Sequence, residues 1–368
     1  PSMRAFALPQ LMAQAGYCTA QIGKLHVAPE SVFHFDQYLK GNPRNAVQMA
    51  EVCKPVFEDE SGKPFFLYFA TSDPHRGGGR DQTFSGEHKP DRFGNLPKKK
   101  AYPGVEEVFY DPGKVVVPGF LPDTPESRAE IANYYQSCSR IDQGLGRLVE
   151  LLKKNGKWDN TVIIYTADHG MAFPGAKTTV YEAGLRVPFV VRHPGVEKKG
   201  RTNEAMLSHT DLTPTILDLA GALNEKKTAP AKPLPFDKVG VGENSGKRPV
   251  KYHGRSWLPI LEETKPEGWD EVSASHTFHE IQMYYPMRVI RDRKYKLIWN
   301  IAYRQPYPFA SDLWVAATWQ AQWSKGKDAD YGGRTVDSYI NRPEFEFFDI
   351  ISDPNESRNL ANDPIHAA

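Results

Sequence analysis

The sequence predicts an α/β protein with a large, mostly parallel sheet flanked by helices and a small antiparallel sheet near the C-terminus. Three observations carry this. Two short apolar runs, residues 64–70 and 162–166, are rich in aromatic and β-branched residues and stop at polar residues, as strands covered on both faces of a parallel sheet do. Between them, residues 125–155 place apolar side chains at alternating steps of three and four, the period of a long amphipathic helix. After about residue 284 the pattern changes to Arg288-Val289-Ile290-Arg291, Tyr295-Lys296-Leu297-Ile298-Trp299 and Glu344-Phe345-Glu346-Phe347-Phe348-Asp349, short runs suited to antiparallel strands. The expected division is therefore 1–283 and 284–368.

Composition narrows the class. The 368 residues can bury a large core, with 40% hydrophobic residues and no apolar run long enough to span a bilayer. A net charge of +1 gives no global reason to expect nucleic acid or a membrane as partner. The 30 prolines and 29 glycines are scattered, so the chain is loop-rich without being low in complexity. Cys18, Cys53 and Cys138 form neither a metal-ligand pair nor a disulfide framework. One glycosylation sequon is present, Asn355-Glu356-Ser357. The chain opens at Pro1 and reads as helix almost at once, so its natural N-terminus is expected further upstream.

The elements follow in order. Residues 5–15 read as a short helix with Phe6, Leu11 and Met12 on one side and Gly16 at its end. Residues 18–23 read as a strand leading to Lys24-Leu25-His26. Were that strand to continue, Lys24 and His26 would share a face and could meet an anion; a solvated lysine and a packing histidine are the plain alternative. A helical patch covers 46–53. The strand at 64–70 runs into Ser72-Asp73-Pro74-His75-Arg76 and then Gly77-Gly78-Gly79, which allows backbone to approach a ligand closely. His75 is a candidate general acid because imidazole titrates near neutrality, although a loop histidine can simply pack. Residues 80–119 read as loop, with a solvated run Lys98-Lys99-Lys100.

The long helix has Thr124 as cap, Pro125 at its first position, and an apolar face of Ile131, Tyr134, Cys138, Ile141, Leu145, Leu148 and Leu152; Gly156 ends it. It reads as scaffold. The strand at 162–166 ends in Ala167-Asp168-His169-Gly170. Ligands bind beyond the carboxyl ends of strands in such sheets, and a carboxylate beside an imidazole suits a divalent metal; an aspartate capping the next turn is the alternative. Lys177 lies a few residues on. Residues 187–192 read as another strand, Asp211 as the cap of a helix with Pro214 in its first turn, and 221–249 as an irregular insertion. Asp292 and Arg293 fit a hairpin turn. Taken together, Lys24, His26, His75, Asp168, His169 and Lys177 make a cationic, imidazole-rich set suited to a tetrahedral oxyanion such as a sulfate or phosphate ester.

Gly23-Lys24-Leu25-His26, Asp73-Pro74-His75, Thr166-Ala167-Asp168-His169-Gly170, Gly184-Leu185-Arg186-Val187-Pro188 and Asp211-Leu212-Thr213-Pro214-Thr215 occur in the order seen in sulfatases of the alkaline phosphatase superfamily. The ending, residues 348–356 through Asn359-Leu360-Ala361, is similar as well. The chain thus resembles that family over nearly its whole length. Within the family it resembles the sulfamidases, through 23–30, Asp73-Pro74-His75-Arg76, Phe173-Pro174-Gly175, and His279-Glu280 followed by Met283 and 285–288. The resemblance implies an alkaline-phosphatase-like α/β sandwich and a hydrolase removing N-linked sulfate from glucosamine through a formylglycine nucleophile. It implies Asp168 as a Ca²⁺ ligand, with His169 beside the metal or the sulfate. It implies Lys24 and Lys177 as clamps on sulfate oxygens, His75 as proton donor to the leaving group, and His26 as the group acting on the formylglycine hydrate. His279 and Glu280 are expected to contact the sugar. The implied partners are a sulfated glycan or amino sugar and a formylglycine-generating enzyme, in an exported or lysosomal protein that can be a homodimer.

One departure stands out. The family nucleophile lies in Cys/Ser-x-Pro/Ala-x-Arg, and none of the three cysteines has that context. Pro1-Ser2-Met3-Arg4 looks like the tail of that motif, so the nucleophile and the paired aspartates that complete the Ca²⁺ site are expected upstream of Pro1. The sequence as it stands is expected to lack turnover by itself. An O-sulfatase on another sugar, a phosphodiesterase of the superfamily and a non-catalytic sulfated-glycan binder are the competing readings.

Overall fold

The structure is a computed structural model that describes residues 7–77, 90–97, 99–197, 199–223, 252–280 and 283–366. Pro1-Ser2-Met3-Arg4, Phe6, Gly78, Gly79, Lys98 and all but the first three residues of the 221–249 insertion lie outside the described residues. The chain divides into two compact units. One comprises 1–72, 144–160 and 195–269, the other 73–143, 161–194 and 270–368.

The first unit is built on a parallel sheet. Strands β1 (Cys18–Gly23), β2 (Gln37–Leu39) and β3 (Phe65–Ala70) pair in the order β2-β1-β3. The central strand buries Ala20 and Ile22 completely. The outer β3 stays half-buried, with Tyr68 43% exposed, because among the described residues it has a strand on one side only. Helix α1 (Leu8–Gln14) ends at Gly16, whose φ of +94° suits a residue without a Cβ. Asn45 caps α2 (Ala46–Val52) by accepting from Gln48 N–H, and α3 (Lys54–Phe57) follows. The long helix α4 (Pro125–Lys154) gives its last turns to this unit. A Cβ on Gly144 would stand 2.3 Å from that of Ala46, so glycine there lets two helices touch. Gly156, at φ +65°, closes α4 as expected.

Helix α6 (Leu212–Leu219) corrects one expectation. Asp211 is not its side-chain cap: its own backbone is already helical. Its carboxylate turns back instead to accept from Ser208 N–H (2.8 Å) and Arg255 N–H (2.9 Å), and Ser208 caps the turn His209–Asp211.

In the second unit Thr124 Oγ1 accepts from Ser127 N–H at 3.2 Å and starts α4 as predicted. Ile141, assigned to the apolar face, is only half-buried. Strands β4 (Ile163–Thr166) and β5 (Phe189–Arg192) form an antiparallel pair. A parallel, fully covered β4 was expected. The pair forms a two-stranded ladder, which leaves β4 half-buried and Val190 60% exposed. Helix α5 (Glu182–Leu185) lies between them.

The C-terminal sheet is antiparallel, as predicted. Strands β6 (Val272–His279), β7 (Met283–Arg291), β8 (Tyr295–Asn300) and β11 (Phe345–Asp349) lie in the order β11-β8-β7-β6. The first of them begins before the residues in which strands were recognised. Asp292 makes the hairpin, its Oδ1 accepting from Lys294 and Tyr295 N–H. The short pair β9 (Asp330–Tyr331) and β10 (Arg334–Thr335), with helices α7 (Ser311–Trp314), α8 (Ala317–Trp323) and α9 (Val336–Ile340), completes the unit. Its core joins Phe93, Phe173, Tyr181, Tyr285, Tyr307, Trp319 and Phe348. The family-like ending has a structural role here. Asn359 binds the backbone of Phe345 and Phe347 and so covers the β11 edge.

Candidate active site

Two irregular segments of the second unit hold half of the predicted site residues, His75 on one and Asp168, His169 and Lys177 on the other. The first is Asp73-Pro74-His75-Arg76. Backbone outside regular structure has no ladder to fix it, so side chains must do so. Asp73 accepts from Arg140 Nε at 2.8 Å, both side chains about 1% exposed. Arg140 also donates to Asn95 Oδ1 (2.6 Å) and to the Phe93 carbonyl (2.8 Å). Arg76 is wholly buried, pairs with Glu130, donates to the Ala172 carbonyl (3.1 Å), and lies over the rings of Phe93 (4.7 Å) and Phe173 (4.9 Å). Glu130 in turn accepts from Ala317 N–H and from the Thr318 N–H and hydroxyl. Burial pushes its carboxyl up, but Arg76 and the Thr318 hydrogen bonds outweigh this and hold it below the usual carboxylate range. Half-buried His75 is therefore fixed on either side by a buried ion pair. Both Glu130 and Arg140 come from α4, which is more than scaffold.

The second segment follows β4. Gly170 N–H donates to the Gly184 carbonyl at 2.9 Å, and a Cβ on Gly170 would stand 1.8 Å from the Ala183 oxygen. A Cβ on Gly184 would meet the Ala176 and Thr179 oxygens at 2.5 Å. These two motif glycines are there for backbone packed on backbone. Residues 172–180 are all buried without regular structure. Gly175 N–H donates to Tyr339 OH (2.6 Å), Tyr307 OH donates to the Thr178 carbonyl (2.7 Å), and Thr178 takes φ +66°. Behind them, Glu182 accepts from Lys296 and Arg291, and Glu356 pairs with Lys296 (2.9 Å) and accepts from Glu182 N–H. Burial raises the Glu356 carboxyl, with Lys296 pulling the other way.

This framework delivers Lys177, 3% exposed, into a cluster. Its Nζ donates to Asp312 Oδ2 at 2.7 Å and stands 3.3 Å from His75 Nε2. An ammonium has only donors, so Nε2 accepts and the His75 proton sits on Nδ1 in this arrangement. His279 is close enough to feel the same charges. Burial and then Lys177 hold its imidazole below the ordinary range, against Glu280 and Asp312, with His169 adding to the lowering. Glu280, at φ +56°, accepts from Ser311 Oγ at 2.9 Å. His169 Nδ1 lies 2.7 Å from the Gly170 carbonyl, which can only accept, so Nδ1 donates; Nε2 stands 3.7 Å from Asp168 Oδ1. Asp168 is the most exposed of the set, its side chain 72% accessible.

Lys24 and His26 belong to the first unit. The strand reading that put them on one face does not hold, because β1 ends at Gly23 with φ +89° and both residues follow in coil. Ala70 explains the ending: its oxygen would be 2.0 Å from a Cβ on Gly23. Lys24 is half-buried and His26 exposed.

Asp168 and His169 offer two donors, and among the described residues no group of three or more His, Cys, Asp or Glu could hold a metal. Calcium takes about six to eight oxygens, so these residues do not by themselves form a calcium site. Cys53 and Cys138 are unsuited to act as nucleophiles: burial pushes their thiols up to about 12 and about 11, away from the reactive thiolate.

Sequence reading missed Asp312, Glu130 and Arg140, and gave Arg76 no role. The available signal was on α4: Ser127, Glu130, Ser137 and Arg140 form a polar stripe beside the apolar one, and all four are buried.

The chain is a sulfatase-type hydrolase of the alkaline phosphatase superfamily. A family model described as Sulfatase matches residues 4–222, and the chain belongs to the sulfatase family. It is 34% identical to the human N-sulphoglucosamine sulphohydrolase over 97% of its own length and 70% of that protein's. It is 29% identical to an ulvan-active sulfatase of Formosa agariphila, over 96% of this chain and 59% of the relative. A solved structure in complex with its substrate D-glucosamine-2-N,6-O-disulfate superposes with a TM-score of 0.58 at 19% identity, covering 98% of this chain and 78% of that one. A phosphonate monoester hydrolase from Silicibacter pomeroyi gives 0.60 at 17%, covering 98% and 76%. At these identities the structural likeness speaks for the fold alone. Among the described residues no helix is long and apolar enough to cross a membrane.

Proposed function

We propose that the protein hydrolyses an N-sulfated amino sugar, releasing sulfate and the free amine. The observation that supports this most is the buried Lys177 ammonium held 3.3 Å from His75 Nε2 on a rigid loop, in a chain 34% identical to a sulphoglucosamine sulphohydrolase over nearly its whole length. The lysine binds the sulfate oxygens and stabilises charge as the S–N bond breaks. The bound anion draws the Lys177 N–H towards itself and raises the basicity of His75, which then carries the proton for the leaving nitrogen. Lys24 is assigned to the sulfate and His26 to the formylglycine hydrate. His169 is placed beside the sulfate, and His279 and Glu280 beside the sugar. Asp168 is the oxygen ligand this chain offers to Ca²⁺. The nucleophile is a formylglycine made by a generating enzyme from a residue other than Cys18, Cys53 or Cys138. The reading carries with it an exported or lysosomal protein that can dimerise, with residues 1–283 as the sulfatase catalytic domain and 284–368 as a C-terminal α+β subdomain.

The test is sulfate release by the full-length protein, matured with a formylglycine-generating enzyme, from N-sulfoglucosamine and from 6-O-sulfated glucosamine, with and without Ca²⁺. Release from the N-sulfated sugar, dependent on Ca²⁺, is expected. Release from the O-sulfated sugar alone would replace this reading with that of an O-sulfatase, which the ulvan-active relative makes the second choice.

A further inference from the structure

We propose that Asp312 is a positioning residue that sets how tightly the site holds sulfate, weakening the grip on the dianionic product more than on the monoanionic substrate. The inference rests on the reading of Lys177 as a sulfate-binding cation. Asp312 is 4% exposed and Lys177 3%, and they meet at 2.7 Å. The other carboxylate oxygen, Oδ1, is buried and has no hydrogen-bond partner among the described residues. A carboxylate is an unexpected component of an anion site, since it repels the ligand through a low-dielectric interior. From its place it offsets the field of that lysine at the position of the anion. A sulfamate or sulfate ester carries one negative charge, whereas the sulfate released by water carries two, with the proton balance closing on the amine. Repulsion by Asp312 scales with that charge, so the product is destabilised about twice as much in energy as the substrate, which favours its departure.

The experiment measures binding of inorganic sulfate and of the sulfamate ion to the full-length protein by calorimetry, in wild type and Asp312→Asn. These ions share a tetrahedral shape and differ in charge. In the variant, sulfate is expected to bind about tenfold more tightly and sulfamate about threefold. A merely structural role would not sort two ions of one shape by charge. Equal factors for the two ions, or no tightening, would overturn the proposal while leaving the sulfatase reading intact. If wild type binds neither ion, both fail. Should Asp312→Asn not fold, Lys177→Met and the double variant Lys177→Met/Asp312→Leu decide the matter, because the double removes both charges together. The double variant is expected to bind sulfate more tightly than the single. Equal affinity would overturn the proposal.

Discussion

The two units place their candidate residues by different means. In the first, Lys24 and His26 follow the central strand of a parallel sheet, and among the described residues Asp211 is the one buried acidic or basic side chain. In the second, His75 and Lys177 sit on irregular backbone, and Asp73, Arg76, Glu130, Arg140, Lys296, Asp312, Arg342, Glu346 and Glu356 are all buried in the same unit. A regular strand is fixed by its ladder and its apolar faces. An irregular segment must have its polar backbone and its shape secured one bond at a time, here by charged side chains from distant parts of the sequence.

This contrast can be broken at several points. Glu130→Ala would leave Arg76 buried without its partner, at a cost of about 3–5 kcal/mol, visible as a large drop in the urea midpoint; a loss under about 1 kcal/mol would mean that the ion pairs do not hold the site. Gly170→Ala drives a Cβ against the Ala183 oxygen and is expected to cost on the order of 1–3 kcal/mol, with a fall in sulfate binding as the Lys177 loop shifts. An unaltered midpoint and affinity would show the loop to be more accommodating than this packing allows.

A smaller effect concerns His276, whose imidazole lies below its ordinary 6.5 through burial first and then through His279 and Arg342, with Tyr285 opposing. The unfolded chain therefore binds the proton more readily. Its stabilising contribution is whole above 6.5 and is lost as the pH falls from there through the folded value. His276→Gln should flatten the dependence of unfolding free energy on pH just below 6.5; an unchanged slope would assign that dependence to other groups. The smallest effect has the opposite sign. Gly146 lies exposed in α4 with nothing within 4 Å of an added Cβ, so Gly146→Ala should stabilise by about 0.5–1 kcal/mol in a thermal melt. Destabilisation there would show that this turn of the helix is not open.

Much of the fold was legible because local chemistry dictates it. Thr124 and Gly156 bracket α4, and Asp292 turns the hairpin between β7 and β8, all from residue type alone. The antiparallel pairing of β4 with β5 was not legible, since an apolar run does not record the direction of its neighbour. Nor was the true cap at Ser208, because Asp211 has the right chemistry one turn too late. At the site, His75 and Lys177 stood out as motif residues. Their partners did not: Asp312 is 135 positions from Lys177 and Glu130 54 from Arg76, and no periodicity links such pairs.

In the proposed reaction His75 protonates a poor leaving group beside Lys177. The most direct measurement compares His75→Ala with wild type in the full-length, matured protein on two substrates. N-sulfoglucosamine needs its leaving amine protonated; an aryl sulfate with an acidic phenol does not. A loss of about 10²–10⁴-fold in kcat is expected on the sugar and a far smaller loss on the aryl sulfate. Equal losses on both, or none on the sugar, would contradict it.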